Sequence, residues 1–413
     1  MQYGLIGAKL GHSYSPAIHA RLGDYDYRLY ERTEAAFINL MASRQFRGLN
    51  VTIPYKVVAY EHCDALSDTA REVGCVNTLI VRPDGTLYGH NTDIGGFMAL
   101  AKRSGVEIAG KKCVILGSGG ASMTAQAACR RFGAREIVVV SRKGPVDYAA
   151  LYRDHADAEV LVNATPVGMY PNNDQSPADI SRLPNLTGVL DVIYNPDRTA
   201  LILDAEARGI PCAGGMYMLV GQAWEAAELF TGRAIPDAVT DEIYGTLRAE
   251  ALNLVLIGMP GSGKSSTGRM LAAQMGRDFV DCDAEIVRRA RMTIPEIFAS
   301  RGEGAFRELE SAVLSEVCKE KSRVIAAGGG AVLRPENVRA MRQNGVVVWV
   351  KRPLEALPMD GRPLSSGRAA LEAMWVEREP LYRAAADAAI DNDGEHAAAI
   401  AAAKEAFYEA AHR

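Results

Sequence analysis

Apolar positions along the 413-residue chain fall into short runs, separated by longer stretches where apolar residues recur every three or four positions. Short apolar runs bounded by turn residues predict buried strands, and the wider spacing predicts helices with one buried face. Strands are expected at 2–6, 47–51, 76–81, 113–117, 136–140, 159–162, 188–192, 210–213, 252–257, 323–327 and 346–350. Helices are expected over 93–104, 120–131, 216–230 and 303–318, from Pro236 to Glu250, and along the alanine-rich tail from Ala397 to Ala411. Strands alternating with helices throughout predict an α/β architecture with largely parallel sheets. No long internal repeat and no low-complexity linker interrupts the pattern.

Length suggests two or three domains. Hydrophobic residues at 48 % and charged residues at 23 % are an ordinary globular balance. A net charge of −4 gives no electrostatic reason to expect nucleic acid or an anionic membrane as partner. The seven cysteines, at 63, 75, 113, 129, 212, 282 and 318, contain no C-x-x-C pair. They predict free thiols in a reducing cytoplasm rather than a disulfide or zinc framework. No apolar run is long enough to span a bilayer. Met1 to Gly7 already reads as a strand and turn, so no targeting segment is expected there.

The strongest local signal is Gly258-Met-Pro-Gly-Ser-Gly-Lys-Ser265. It fits G-x-x-x-x-G-K-[ST], follows an apolar run and precedes a helical pattern, the context that gives this motif meaning. Backbone amides around Gly261, Ser262, Gly263 and Ser266 would curl around phosphate oxygens, aided by the helix N-terminus. Lys264 would reach the terminal phosphates of ATP, and Ser265 would hold Mg2+. Such a loop usually follows the first strand of its own domain. Starting at residue 258, it implies an independent unit before it.

That earlier unit contains Cys113-Val-Ile-Leu-Gly117-Ser-Gly119-Gly120-Ala121-Ser122, a strand running through glycines into a helix. It is similar to the dinucleotide fingerprint, with Gly117 for the tight turn and Gly119 for close approach to a pyrophosphate. Ser122 stands where the fingerprint has Gly or Ala, so the match is imperfect. The next strand ends in Ser141-Arg142-Lys143, where an NAD site would carry a carboxylate. Basic residues there suit a 2′-phosphate and point to NADP(H); the competing reading is a solvated turn. Residues 1–97 form a further lobe with polar clusters around Ser13 and Ser15, Asn50 to Lys56, Asn77-Thr78, and Asn91 to Asp93. Singly these are turn or cap residues; together they suit a small polyhydroxylated substrate.

These stretches, with N-A-T-P-V-G-M at 163–169, D-V-I-Y-N-P at 191–196 and M-L-V-G-Q-A at 218–223, make residues 1–245 closely resemble shikimate dehydrogenase. The resemblance implies that Ser13, Ser15, Thr52, Asn77, Asp93 and Gln222 bind substrate and that Lys56 and Asp93 form the catalytic pair. An ammonium beside the reacting carbonyl oxygen can stabilise and protonate a developing alkoxide.

Downstream of the phosphate loop, Asp281 and Asp283 leave a strand on the same side. Asp281 could support Mg2+, and Asp283 could accept a hydroxyl proton or simply cap the following helix. The strand before the triple glycine at 328–330 ends without an acidic residue, which shifts Mg2+ binding onto Ser265 and Asp281. With Gly304-Ala-Phe-Arg307, Gly361-Arg362-Pro-Leu and Arg378-Glu-Pro-Leu-Tyr382, residues 252–410 resemble shikimate kinase. That implies shikimate contacts from Asp283, Arg307, Gly329 and Arg378, catalytic roles for Lys264 and Asp283, and a lid carrying Arg362.

The resemblances imply a two-lobed dehydrogenase with a Rossmann NADP domain, followed by a P-loop α/β domain of the nucleoside-monophosphate-kinase kind. The expected domains are 1–97 with helices from 216–250 packing back on it, 98–215, and 252–413. The expected activity is reduction of 3-dehydroshikimate by NADPH, then phosphorylation of shikimate by ATP. Rival readings are an NAD-using quinate/shikimate dehydrogenase and a non-catalytic metabolite sensor. Arg142 and Lys143 oppose the first, and retention of Lys56, Asp93, Lys264 and Asp283 opposes the second.

Overall fold

The computed structural model of the chain describes residues 2–11, 13–357, 368–393 and 396–413, apart from the side chain of His396. Arg362, the expected lid residue, lies outside the described residues. The chain forms two compact units, residues 1–194 with 199–244, and residues 195–198 with 245–413.

The first unit holds two sheets. Strands β1 (Tyr3–Gly7), β2 (Tyr27–Glu31), β3 (Gly48–Val51), β4 (Ala65–Leu66), β5 (Thr78–Val81) and β6 (Leu87–His90) form a sheet in the order β2-β1-β3-β5-β6-β4. Its β1, β2 and β3 are parallel, but β5 runs antiparallel to both β3 and β6. The β5–β6 pairing follows from a tight connection: Gly85 takes φ +85° and the Thr86 amide donates to the Asp84 carboxylate. The second sheet contains β7 (Lys112–Leu116), β8 (Glu136–Val140), β9 (Val160–Asn163), β10 (Gly188–Asp191) and β11 (Cys212–Ala213). It is all parallel, in the order β11-β10-β9-β7-β8, with every residue of β7, β9 and β10 buried. Continuous burial is what a parallel sheet covered on both faces demands.

Helix Met216–Thr231 packs lengthwise on helix Asp93–Ser104. Glycines allow the close approach: a Cβ on Gly221 would lie 3.2 Å from the Gly96 Cα, and one on Gly96 would lie 2.5 Å from the Met218 carbonyl.

The second unit is a parallel five-stranded sheet of β12 (Asn253–Ile257), β13 (Asp278–Asp281), β14 (Arg323–Ala326), β15 (Gly345–Lys351) and β16 (Ala388–Asp391). The order β13-β14-β12-β15-β16 puts β12, whose five residues are all buried, in the centre. The phosphate loop therefore leaves the middle of the sheet. One apolar cluster, including Val255, Ile257 and Trp349, covers one face, and another, including Leu254, Leu256 and Phe407 of the alanine-rich tail helix, covers the other. Among the described residues, no helix is long and apolar enough to cross a membrane.

Candidate active sites

In the first unit, Lys56 opens helix Lys56–Glu61 and Asp93 opens helix Asp93–Ser104. Their side chains meet with Lys56 Nζ 2.7 Å from Asp93 Oδ2, and are 28 % and 16 % exposed. Burial would lower the Lys56 pKa, but the charge and hydrogen bond of Asp93 outweigh it and leave it raised. Lys56 is therefore held as an ammonium that still faces solvent.

The polar residues of this lobe form one buried chain. Ser15 hydrogen-bonds Tyr27, whose hydroxyl donates to Asn50 Oδ1 at 2.8 Å. Asn50 Nδ2 donates to Thr78 Oγ1 at 3.1 Å, and that hydroxyl donates to Asn77 Oδ1 at 3.0 Å. Asn77 also accepts the Thr92 amide at 2.8 Å, one residue before Asp93. Ser15, Asn77 and Asp93 are thus held by shared bonds despite their separation in sequence. Ser13 Oγ accepts the Ser15 amide at 3.2 Å. Thr52 lies half-buried just past β3. Gln222 sits beside Gly96, one turn from Asp93, with its Nε2 turned to the Leu219 carbonyl.

Tyr194, absent from the expected site residues, meets Tyr14 edge-on with ring centroids 6.1 Å apart. Tyr14 lies between the two serines, so Tyr194 borders the same turn. Its signal in the sequence was D-V-I-Y-N-P, which carried the resemblance without being assigned a role. The aspartate of that motif, Asp191, is fully buried. It accepts from Asn163 Nδ2, Thr199 Oγ1 and the Ile193 amide, fixing the loop that presents Tyr194. Burial pushes its carboxyl up to about 6.

The glycines after β7 separate into two kinds. Gly117 has φ +107° and a Cβ there would lie 2.8 Å from the Ala164 carbonyl, so the turn itself requires it. A Cβ on Gly119 or Gly120 would meet no protein atom within 4 Å. Their bareness serves no packing need and leaves the amides at the start of helix Gly120–Arg131, where Ala121 also lies, open to a ligand. This cradle fits a pyrophosphate. Ser141 is buried at the end of β8, while Arg142 and Lys143 are exposed. A cavity of about 320 Å3 lies alongside, lined by Ser118, Ser141 and His155 among others.

In the second unit, Gly261 and Gly263 have φ +83° and +96°. Asn392 Nδ2 donates to the Ser262 carbonyl at 2.7 Å and packs where a Cβ on Gly263 would lie, which pins the loop from β16. Lys264 Nζ donates to the carbonyls of Gly258 and Met259, at 2.9 and 3.0 Å. Ser266 Oγ donates to the Gly263 carbonyl. Ser265 Oγ donates to Asp281 Oδ2 at 2.5 Å, so the two expected Mg2+ residues are in contact and supply a hard oxygen pair. Asp281 also caps helix Cys282–Ala290 by accepting from the amides of Asp283 and Ala284. The cap is therefore Asp281, and the Asp283 carboxylate faces the cavity instead.

One cavity of about 740 Å3 collects Lys264, Ser265, Asp281, Asp283, Arg307, Gly329 and Arg378. Arg307 Nη1 donates to Glu310 Oε2 at 2.7 Å, and Arg378 Nη1 donates to the Gly329 carbonyl at 3.2 Å. Tyr382 donates its hydroxyl to that same carbonyl. Arg378 is 5 % exposed, and its Nε makes no hydrogen bond among the described residues. A buried guanidinium with an open donor is suited to an anion.

Glu310, which the sequence reading passed over, is fully buried in the cavity wall. Burial raises its carboxyl pKa, against the lowering effect of Arg307. Its place three residues after Arg307 was the available signal, since that spacing puts both on one helix face.

Residues 260–408 match the family described as Shikimate kinase, and residues 5–79 match Shikimate dehydrogenase substrate binding domain. The chain is 34 % identical over 266 residues to a protein named Shikimate dehydrogenase (NADP(+)) of Clostridium perfringens, covering 60 % of this chain and 98 % of that one. A solved chorismate mutase/shikimate 5-dehydrogenase fusion protein from Clostridium acetobutylicum is 35 % identical with a TM-score of 0.56, covering 60 % of this chain and 96 % of that chain. Shikimate 5-dehydrogenase from Thermus thermophilus, solved in complex with NADP(H) and shikimate, is 30 % identical with a TM-score of 0.53, covering 59 % of this chain and 98 % of that chain.

Proposed function

This chain belongs to the shikimate dehydrogenase family and continues into a shikimate kinase domain; from that premise we propose how its own residues divide two consecutive reactions, reduction of 3-dehydroshikimate and phosphorylation of shikimate. The observation that carries the first is the Lys56–Asp93 pair. That for the second is the convergence of Lys264, Asp283, Arg307 and Arg378 on one cavity.

In the dehydrogenase unit, NADPH supplies the hydride when bound. Gly117, Gly119, Gly120 and Ala121 would hold its pyrophosphate, and Ser141, Arg142 and Lys143 would hold its 2′-phosphate. Ser13, Ser15, Thr52, Asn77 and Gln222 take the substrate's carboxylate and hydroxyls. The Lys56 ammonium donates a hydrogen bond to the ketone oxygen and then its proton as the alkoxide forms. Asp93 keeps Lys56 protonated and accepts a neighbouring substrate hydroxyl. The two rigid helix starts that carry the pair hold it in reach of the carbonyl.

In the kinase unit, Arg307 and Arg378 bind the shikimate carboxylate, and the Gly329 backbone sets its depth. Asp283 accepts the proton of the attacking hydroxyl. Lys264 and the amides of Gly261, Ser262, Gly263 and Ser266 stabilise charge on the transferring phosphoryl group. Ser265 and Asp281 would hold Mg2+, which would supply charge neutralisation at the phosphates. Arg362 belongs to the lid in this reading. The domains follow as 1–97 with 216–250, 98–215, and 252–413. The cytoplasm is the compartment assigned, in keeping with seven cysteines that form no disulfide.

A two-part assay of the purified chain tests the reading. Shikimate should drive NADP+ reduction, and shikimate with Mg2+ should drive ATP consumption. Absence of either activity in folded protein overturns the corresponding half.

A further inference from the structure

A second cavity of the kinase unit, about 330 Å3, lies between β15, β16 and helix Arg368–Ala385. It shares no lining residue with the phosphate-loop cavity. Its volume is at the lower end of the roughly 300–1,000 Å3 typical of small-molecule sites. Two of the chain's three tryptophans, Trp349 and Trp375, line it. Their ring centroids are 6.1 Å apart and the rings are tilted by 35°; Trp349 is only 4 % exposed, so the half-buried Trp375 is the ring a ligand can reach, with Trp349 behind it. The floor is the small side chains of β16.

Three charged groups complete the lining. Lys351 Nζ lies 5.6 Å from the Trp349 ring centroid and only 3.6 Å at closest from Asp391, a loose ion pair. Arg383 and Glu379 are ion-paired along one helix face, with Arg383 Nε donating to Glu379 Oε1 at 3.1 Å. The Arg383 side chain is 73 % exposed, so exchanging this partner for another demands little desolvation. None of these five residues has a part in nucleotide or shikimate binding as derived above.

From this lining we propose that the cavity binds a free aromatic α-amino acid. The ring packs against the Trp375 indole, which Trp349 backs, the carboxylate meets Lys351 and Arg383, and the ammonium meets Glu379. An aromatic wall alone would take any apolar planar group, and cations alone any anion. The combination of both with a carboxylate selects a zwitterion carrying a ring.

The test is direct binding by the full-length chain carrying Trp224→Phe, so that indole fluorescence reports only Trp349 and Trp375. L-phenylalanine is the probe, because it leaves the indole signal distinct. L-alanine, which lacks the ring, and 3-phenylpropanoate, which lacks the ammonium, are the controls. The expected result is a saturable change with an affinity at least about tenfold better for L-phenylalanine than for either control. Arg383→Gln, on an exposed side chain, and Trp375→Leu should each weaken it about tenfold or more. No saturable response, an equal response to either control, or an affinity unchanged by either substitution overturns the proposal. Because binding is read without turnover, its failure is separate from failure of the kinase assignment.

Discussion

Replacing Asp93 with Asn removes a charge from the dehydrogenase site while keeping its shape, and the consequence can be worked through. At 2.7 Å the Lys56–Asp93 attraction in an effective dielectric of about 20 is about 6 kcal/mol. This is an upper bound, because the two side chains are 28 % and 16 % exposed and water screens them. The net worth of a charge-assisted hydrogen bond is about 1.5–3 kcal/mol, which corresponds to roughly 10- to 150-fold in kcat/KM. The direction of the pH effect follows from the two opposing influences on Lys56. Burial lowers its pKa and Asp93 raises it; in the wild type the second prevails. In Asp93→Asn burial remains, the largest single influence, opposed only by the weaker effect of Cys75, so the Lys56 pKa falls. The ammonium is then lost at lower pH, and the basic limb of the kcat/KM profile for 3-dehydroshikimate reduction moves down. The assay is NADPH oxidation at saturating cofactor across the alkaline range. A basic limb that stays in place or moves up, with kcat/KM within about twofold of wild type, would refute Asp93 as the group that keeps Lys56 charged.

Other predictions follow from single residues. Glu310→Gln removes the buried partner of Arg307, so the kinase KM for shikimate should rise about 10- to 100-fold, with the dehydrogenase rate unchanged. Steady-state kinetics of both reactions on one preparation check it. Gly117→Ala should lower stability by about 1–3 kcal/mol through strain at φ +107°, whereas Gly119→Ala should leave the melting temperature unchanged and raise KM for NADP+. Thermal melts paired with cofactor titrations separate the two. Arg142→Ala should reduce the preference for NADP+ over NAD+ by about tenfold or more, read as the ratio of kcat/KM values.

The sequence was most legible where physics is local. Strand β7, the Gly117 turn, the phosphate loop and central β12 all follow from short apolar runs meeting glycine. Some strands at sheet edges were not, although β8 and β11, the edges of the second sheet, were. In β2 only Tyr27 is buried, and in β16 only Ile390, so neither presents the apolar run that marks a strand. The antiparallel course of β5 was equally hidden, because alternation predicts the presence of a strand but not its direction. Among site residues, the expected ones all came from motifs. Glu310 and Tyr194 were missed because their importance comes from tertiary neighbours, Arg307 within the cavity wall and Tyr14 beside the serine turn. The bonds joining Ser15, Asn77 and Thr92 run through Tyr27 and Asn50, a path that no linear spacing encodes.

The central claim is that one chain carries two chemically independent active sites, centred on Lys56 and on Lys264. It is tested most directly by measuring both reactions in Lys56→Ala and Lys264→Ala. Lys56→Ala should lose about 10²- to 10⁴-fold in ketone reduction while phosphorylating shikimate at the wild-type rate. Lys264→Ala should do the reverse. A folded variant in which either substitution silences both activities, or neither, would contradict the account.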